Sequence, residues 1–174
     1  MARIRKGCAY RRLERPYTKK SKYKILNFVR MTPAKIVVRY NMGDVEGKFE
    51  YTLNLRTKDS LQIRQNAIES ARQTSNRMLE KNLGKNDYFL RVRMYPHHHL
   101  RENALAAGAG ADRMSTGMAH SFGKCVGLAA QVRRGQILIE LSVNREHLDL
   151  ARKALHRAVY KIPCSCHIEE VQNK

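Results

Sequence analysis

The stretch KFEYTLNLRTKDSLQIRQNAIESARQTSNRMLEKNLG, residues 48–84, decides the fold. Across residues 48–56, Phe49, Tyr51, Leu53 and Leu55 alternate with Lys48, Glu50, Thr52, Asn54 and Arg56, the two-residue period of a strand that buries one face. The period then changes. Asp59 or Ser60 is placed to cap a predicted helix that carries Leu61, Ala67, Ile68, Ala71, Met78, Leu79 and Leu83 near one side and stops at Gly84.

The same two patterns recur on both flanks. Upstream, Ile36, Val38 and Tyr40 alternate with Lys35, Val37 and Arg39, which predicts a strand over 35–40 and a turn through Met42, Gly43 and Asp44. Downstream, Leu90, Val92 and Met94 alternate with Phe89, Arg91, Arg93 and Tyr95 until Pro96. Val126, Leu128, Ala130 and Val132, then after Gly135 Ile137, Ile139, Leu141 and Val143, suggest a hairpin. Asn144 and Glu146 open a second helix with Leu148, Ala151, Leu155, Ala158 and Val159 as its stripe, closed by Pro163; Cys164 to Val171 form a short edge strand. The order β-β-α-β-loop-β-β-α-β makes the chain α+β, with antiparallel strands and hairpins packed with two main helices. Its 174 residues form a single domain, 1–174, comprising a core, a basic arm at 1–24 and a long inserted loop at 97–125.

Charge points to the partner. Thirty-four Lys and Arg stand against 15 Asp and Glu, a formal net charge of +19, which calls for a polyanion and matches RNA better than an acidic small substrate. Residues 1–24 hold Arg3, Arg5, Lys6, Arg11, Arg12, Arg15, Lys19, Lys20, Lys22 and Lys24 against Glu14 alone, interleaved with Tyr10, Tyr17 and Tyr23. That segment reads as an extended arm that orders on RNA, with phosphate neutralisation and base stacking together; a solvated tail is the competing reading. Arg91 and Arg93, flanked by aromatics on one strand face, are further phosphate contacts, against the alternative of an ordinary solvated face. No apolar run reaches the length of about 18 residues that a membrane span needs, and the first residues have no apolar signal core, so an intracellular protein is expected.

Residues 100–135 look like the working part. Six of the ten glycines fall there, Gly108, Gly110, Gly117, Gly123, Gly127 and Gly135, a cluster that lets large partners approach the backbone. Gly108-Ala-Gly110 is not a dinucleotide turn, because Arg113 stands where the third glycine belongs, and there is no phosphate-loop lysine motif. Ser121 or Cys125 beside His120 lacks the nucleophile-elbow context, so no catalytic residue is assigned. Cys164 and Cys166 with His167 are an undersized metal pattern, and the consecutive His97, His98 and His99 point alternately along an extended chain, so no metal is assigned. RNA contact or loop packing is the reading for His98. Asp112 and Glu102 salt-bridge within the loop, leaving Arg101, Lys124, Arg133 and Arg134 for phosphates.

The motif HHHLREN-x₃-AAGAGADRMSTGM-x-HSFGK, together with ARIRKGCAYRRLERPYTKK and FLRVRMYP, closely resembles the large-ribosomal-subunit protein ten family of archaea and eukaryotes, whose bacterial relative is large-subunit protein sixteen. The resemblance spans nearly the whole chain and is of the archaeal type. It implies an α/β-hammerhead type α+β fold, a noncatalytic role without cofactor, and a cytoplasmic place in the large ribosomal subunit. Its implied partners are large-subunit ribosomal RNA, tRNA in the ribosome and neighbouring large-subunit proteins, with a part in subunit assembly. It also carries residues 101–113 toward the tRNA, naming Arg101, Glu102, Asn103, Gly108, Gly110, Asp112 and Arg113 as the tRNA-proximal loop. Ala104, Ala119, Cys125 and Gln131 depart from the Lys, Arg, Pro and Arg common among relatives, so three basic contacts are not transferred. A free-standing RNA chaperone or tRNA-binding factor is the second hypothesis; co-sedimentation with the large subunit through a high-salt wash separates the two.

Such a basic chain should bind RNA with steep salt dependence. With about 6–10 phosphate contacts, affinity should drop by roughly 10³–10⁵ between about 50 and 200 mM salt, measured by filter binding; a flat response would argue against backbone neutralisation.

Overall fold

The computed structural model describes residues 3–29, 31–103 and 123–173. Among them run eight strands and two α-helices: β1 (Asn41–Gly43), β2 (Tyr51–Thr57), β3 (Leu61–Arg64), α1 (Gln65–Leu83), β4 (Tyr88–Val92), β5 (His98–Glu102), β6 (Lys124–Val132), β7 (Ile137–Val143), α2 (Leu148–Val159) and β8 (Cys166–Gln172). They form a five-stranded sheet in the order β1-β4-β7-β2-β8 and a three-stranded sheet in the order β3-β6-β5, with every recorded pairing antiparallel.

The core follows from the sequence periods. Leu53 and Leu55 of β2, Leu90 of β4 and Ile139, Leu141 and Val143 of β7 are fully buried, and α1 and α2 pack on them through Ile68, Ala71 and Leu79 and through Ala151, Ala154, Leu155 and Ala158. The alanine-rich stripe of α2 suits close packing between the helices, because small side chains let backbones approach. Ile63, Ala130 and Val132 of the smaller sheet join the same core, so that sheet is fastened by one face and presents the other.

Several expectations change here. The strand over 35–40 does not form; Val37 is buried, but Gln65 takes the place of a strand partner, accepting a bond from Ile36 N–H at 3.2 Å and donating to Ala34 O at 3.1 Å. The helix expected from Asp59 or Ser60 begins only at Gln65, because Leu61–Arg64 pairs with β6 and buries Leu61 and Ile63 in alternation. Ser60 Oγ instead accepts the Arg134 N–H at 2.9 Å. The expected β6–β7 hairpin is absent too: both edges of β7 are taken by β4 and β2, and both edges of β6 by β3 and β5, so the turn after Val132 carries the chain from one sheet to the other. The loop assigned to 97–125 is shorter than expected, because its ends pair as β5 and β6 from His98↔Ala129 to Glu102↔Lys124.

Gly43 closes β1 against β4. Its φ is +86°, and a Cβ there would lie 2.0 Å from the Tyr88 carbonyl oxygen, a backbone atom that cannot step aside. Gly84, at φ +82° after α1, has open space around it. Gly43→Ala should therefore destabilise the fold by more than the about 1–3 kcal/mol of a strained non-glycine φ, and Gly84→Ala by only about that much, in urea unfolding. Equal costs at the two positions would rule out the steric account.

Candidate nucleic-acid interface

The presented face of the three-stranded sheet is built from alternate residues. Gln62 and Arg64 on β3 stand opposite Gln131 and Ala129 on β6, while Gly127 faces Leu100 on β5. The basic arm lies across this face. Tyr10, buried, packs with Leu100, Ala129 and Val126, and Ile4 reaches over Gly127, where a Cβ would meet Ile4 Cδ1 at 3.2 Å.

The arm is held by its backbone. Gln62 Nε2 donates to the carbonyls of Tyr10 and Arg12 at 3.2 and 2.5 Å, and the Gln62 N–H donates to Arg11 O at 2.9 Å. Gln131 Nε2 donates to Glu14 O at 2.7 Å and to Gln62 Oε1 at 3.0 Å, and Arg64 donates to Arg5 O at 3.0 Å. Between Arg5 and Tyr17 the carbonyls turn to the sheet, and the side chains of Arg3, Arg5, Lys6, Arg11 and Arg12 are exposed; Lys19, Lys20, Lys22 and Lys24, beyond it, are exposed as well, and there Lys19 O accepts from the Phe28 and Val29 N–H groups at 3.1 and 3.3 Å. The segment expected to order only on RNA is thus already docked on the protein.

Two anchors hold the arm, one ionic near its start and one of neutral hydrogen bonds at Tyr17. Near the start, the Glu102 carboxylate accepts from Arg5 Nε at 2.8 Å and from the Tyr10 hydroxyl at 2.7 Å. The Arg5 guanidinium is held above its usual range by that bond and charge, and burial raises the Tyr10 phenol. Farther along, Tyr17 N–H donates to His98 Nδ1 at 2.9 Å, and Tyr17 O accepts from the backbone N–H and ring Nδ1–H of His99 at 3.3 and 3.0 Å. A register shift between Leu100 and Arg101 turns Arg101 onto the arm, its guanidinium carbon 3.8 Å from the centroid of the Tyr17 ring. A polar cavity of about 100 Å³ remains between arm and sheet, lined by Arg5, Tyr10, Gln62, His99, Arg101 and Glu102 among others.

The sequence-derived site residues separate into groups. Arg5, Arg11 and Arg12 of the arm gather around the three-stranded sheet with Arg101, Glu102, Asn103 and Lys124, while Lys19 and Lys20 lie against Phe28, Val29 and Thr32. Arg133 and Arg134, both exposed, sit past the far end of β6, roughly 30 Å from Lys124 at strand spacing. Arg91 and Arg93 are exposed on the other sheet, where Arg93 pairs with Glu140 at 3.1 Å. His98 is 2% exposed, so its ring serves as an arm seat instead of a surface contact. Gly108, Gly110, Asp112 and Arg113 lie outside the described residues. Gln62 and Gln131 were missed as arm-binding residues: one was absorbed into the predicted helix, the other noted only as a lost arginine. The alternation Leu61-Gln62-Ile63-Arg64 was the available signal.

Among the described residues no helix is long and apolar enough to cross a membrane, and no group of three or more His, Cys, Asp or Glu side chains is placed to hold a metal. An α+β core that fastens a cation-bearing arm by its carbonyls defines the class of a polyanion-binding protein. The sequence model of the Ribosomal protein L16p/L10e family matches residues 13–169, and the chain belongs to that family. It is 42% identical over 172 residues to the large ribosomal subunit protein uL16 of Methanococcus maripaludis, covering 98% of this chain and 96% of that one. Similar relatives are the uL16 proteins of Methanococcus aeolicus, 43% identical over 95% of this chain and 92% of the relative, and Staphylothermus marinus, 41% identical over 88% and 84%. The chain is accordingly a structural constituent of the large ribosomal subunit of archaeal type, and not an enzyme.

The His98 seat is sensitive to pH. Burial first, then the charges of His97, Arg101 and His99, lower its pKa from 6.5 to about 4, so the ring stays neutral and accepts the Tyr17 N–H. The unfolded chain protonates first as pH falls, so the stability from this site is complete above about 6.5 and is lost toward about 4, on the order of 2–3 kcal/mol in all. Urea unfolding at about pH 7 and 4.5 should show that loss in the parent and a smaller one in His98→Asn. Identical pH slopes would exclude His98 as the source.

Proposed function

We propose that this protein binds large-subunit ribosomal RNA through the arm-bearing face of its three-stranded sheet and helps to organise the tRNA-binding region near the peptidyl-transferase centre. The single observation that carries this reading is the polarity of the docked arm, with carbonyls on Gln62 and Gln131 and cationic side chains outward. A strand of cations pre-arranged on a fixed surface loses less conformational freedom on meeting RNA than a free tail does. Phosphate contacts come from Arg3, Arg5, Lys6, Arg11, Arg12, Lys19, Lys20, Lys22, Lys24 and Lys124, with Arg133 and Arg134 on a second RNA segment and Arg91 on a third. Arg93 contributes after leaving Glu140. Arg101, stacked on Tyr17, supports the arm and faces RNA from within it.

The tRNA-proximal role falls to residues 101–113, of which Arg101 and Glu102 lie in β5 opposite Cys125 and Lys124. This assignment rests on the family resemblance, as does the part in subunit assembly and the cytoplasmic location within the ribosome. The relatives' shared name as large ribosomal subunit proteins supports association with ribosomal RNA and neighbouring subunit proteins.

The test divides scaffold from probe. Because Glu102 anchors Arg5 and Tyr10, the informative excision removes residues 104–121 and joins the adjacent ends of β5 and β6 by a short linker. This variant should keep its circular dichroism spectrum and co-sediment with large subunits through a salt wash, while tRNA binding to those subunits falls. Unchanged tRNA binding would overturn the probe assignment. Loss of co-sedimentation in a folded variant would overturn the assignment of ribosomal RNA binding to the arm face.

A further inference from the structure

Two thiols beside the end of β2 take no part in the arm contacts. Cys164 and Cys166 join α2 to β8 and are both half-buried, with their Sγ atoms 3.6 Å apart. The residue between them is clamped: Ser165 O accepts the Lys58 N–H at 2.9 Å, and Cys166 is the register partner of Thr57. With the intervening backbone tied to the end of β2, the two side chains turn to the same side and their sulfurs touch. Thr57, itself buried, places its hydroxyl 3.5 Å from Cys164 Sγ.

The chemistry of the pair follows from its surroundings. No third His, Cys, Asp or Glu among the described residues joins the two sulfurs to make a metal-ligand group. The thiols themselves are unequal. The contact with the Cys166 sulfur lowers the Cys164 thiol to about 7 against the opposing effects of burial and Asp59, with help from Thr57. The Cys166 thiol is raised, first by that same contact and then by burial, with Lys58 opposing weakly. A thiolate at neutral pH touching a protonated thiol is the arrangement of an attacking and a resolving cysteine.

We propose that Cys164 and Cys166 form a thiol–disulfide exchange site whose substrate is a small-molecule disulfide, with Cys164 attacking and Cys166 resolving. The Cys164 thiolate attacks one sulfur of the disulfide; the new S–S bond forms as the old one breaks, and the first small thiolate leaves and takes a proton from water. Cys166 then gives its proton to solvent and attacks Cys164 Sγ, expelling the second small thiolate. The two cysteines are oxidised to one intrachain disulfide, and the small disulfide is reduced to two thiols. Closure requires the sulfurs to approach by only roughly 1.5 Å to reach bonding distance.

The experiment uses the full-length chain carrying Cys8→Ser, because Cys8 is exposed and would take the reagent on its own. The reduced protein is incubated with oxidised glutathione, quenched with acid and weighed intact, then mapped by peptide mass. The expected product has lost two hydrogens, carries no glutathione, and maps to a Cys164–Cys166 bond. Cys166→Ser should trap glutathione on Cys164 severalfold faster than Cys164→Ser takes it on Cys166, because the Thr57 hydroxyl still faces the Cys164 sulfur in the first variant while burial still opposes ionisation of Cys166 in the second. A stable glutathione adduct on the intact pair, or no reaction at either cysteine, would overturn the proposal; faster capture at Cys166 would overturn the assigned roles. Should either serine variant fail to fold, the product formed by the intact pair decides alone.

Discussion

The three-stranded sheet is fastened to the core by one face only, and the arm supplies partners on its other face and at both edges. Its order β3-β6-β5 leaves two edges, each a row of backbone groups needing partners. The arm meets both: Arg11 O accepts from Gln62 N–H on β3, and Tyr17 O accepts from His99 N–H on β5. Between those two points the chain crosses the open face through Glu14 at Gln131. One segment thus caps two edges and covers a face, and the geometry that stabilises the sheet is the same geometry that aims the arm's cations outward.

Acidic residues are spent with economy in a chain of net charge +19. Glu69 holds Arg72, Glu140 holds Arg93, Glu169 holds Arg56, and Asp149 with Glu170 hold Arg152, each tying down an arginine on the helices or the larger sheet. Among the described residues only Arg5 of the arm's cations is in an ion pair, with Glu102. Exposed pairs of this kind contribute little stability individually. Their effect is distributional: positive charge is muted over the core and left unmuted along the arm, which concentrates the field where a polyanion would bind.

Where local pattern and long-range pairing agreed, the sequence was legible. β2, β7 and α2 sit within a few residues of their periodic stretches, because each has one fully buried face that keeps a regular apolar period, although Asn54, Leu138 and Ser142 on the strands' other face are covered as well. Leu61–Arg64 was misjudged because its apolar residues also fit the helical stripe that follows, and only β6 makes it a strand. The 35–40 stretch alternates like a strand, yet it meets one only at its last residue, where Tyr40 O accepts from the Val92 N–H at 2.8 Å, and the Gln65 side chain satisfies the backbone of Ala34 and Ile36. For the interface, charge identified the arm, but its docking rests on neutral amides: Gln62 and Gln131, 69 positions apart, meet at 3.0 Å, which no local pattern announces.

The amino-acid order by itself determined the α+β class, the positions of the amphipathic elements, the polyanion preference and, through its long specific motifs, the family. These are properties of composition and short-range period, which a linear reading retains. Tertiary structure alone decided which strands share a sheet, that β6 and β7 part company, and that His98 is a buried acceptor. It also decided how the arm is seated, with its carbonyls on Gln62 and Gln131. The reason is physical: edge hydrogen bonds and desolvated seats are satisfied by residues distant in the chain, and partners of that kind are chosen only when the whole fold closes.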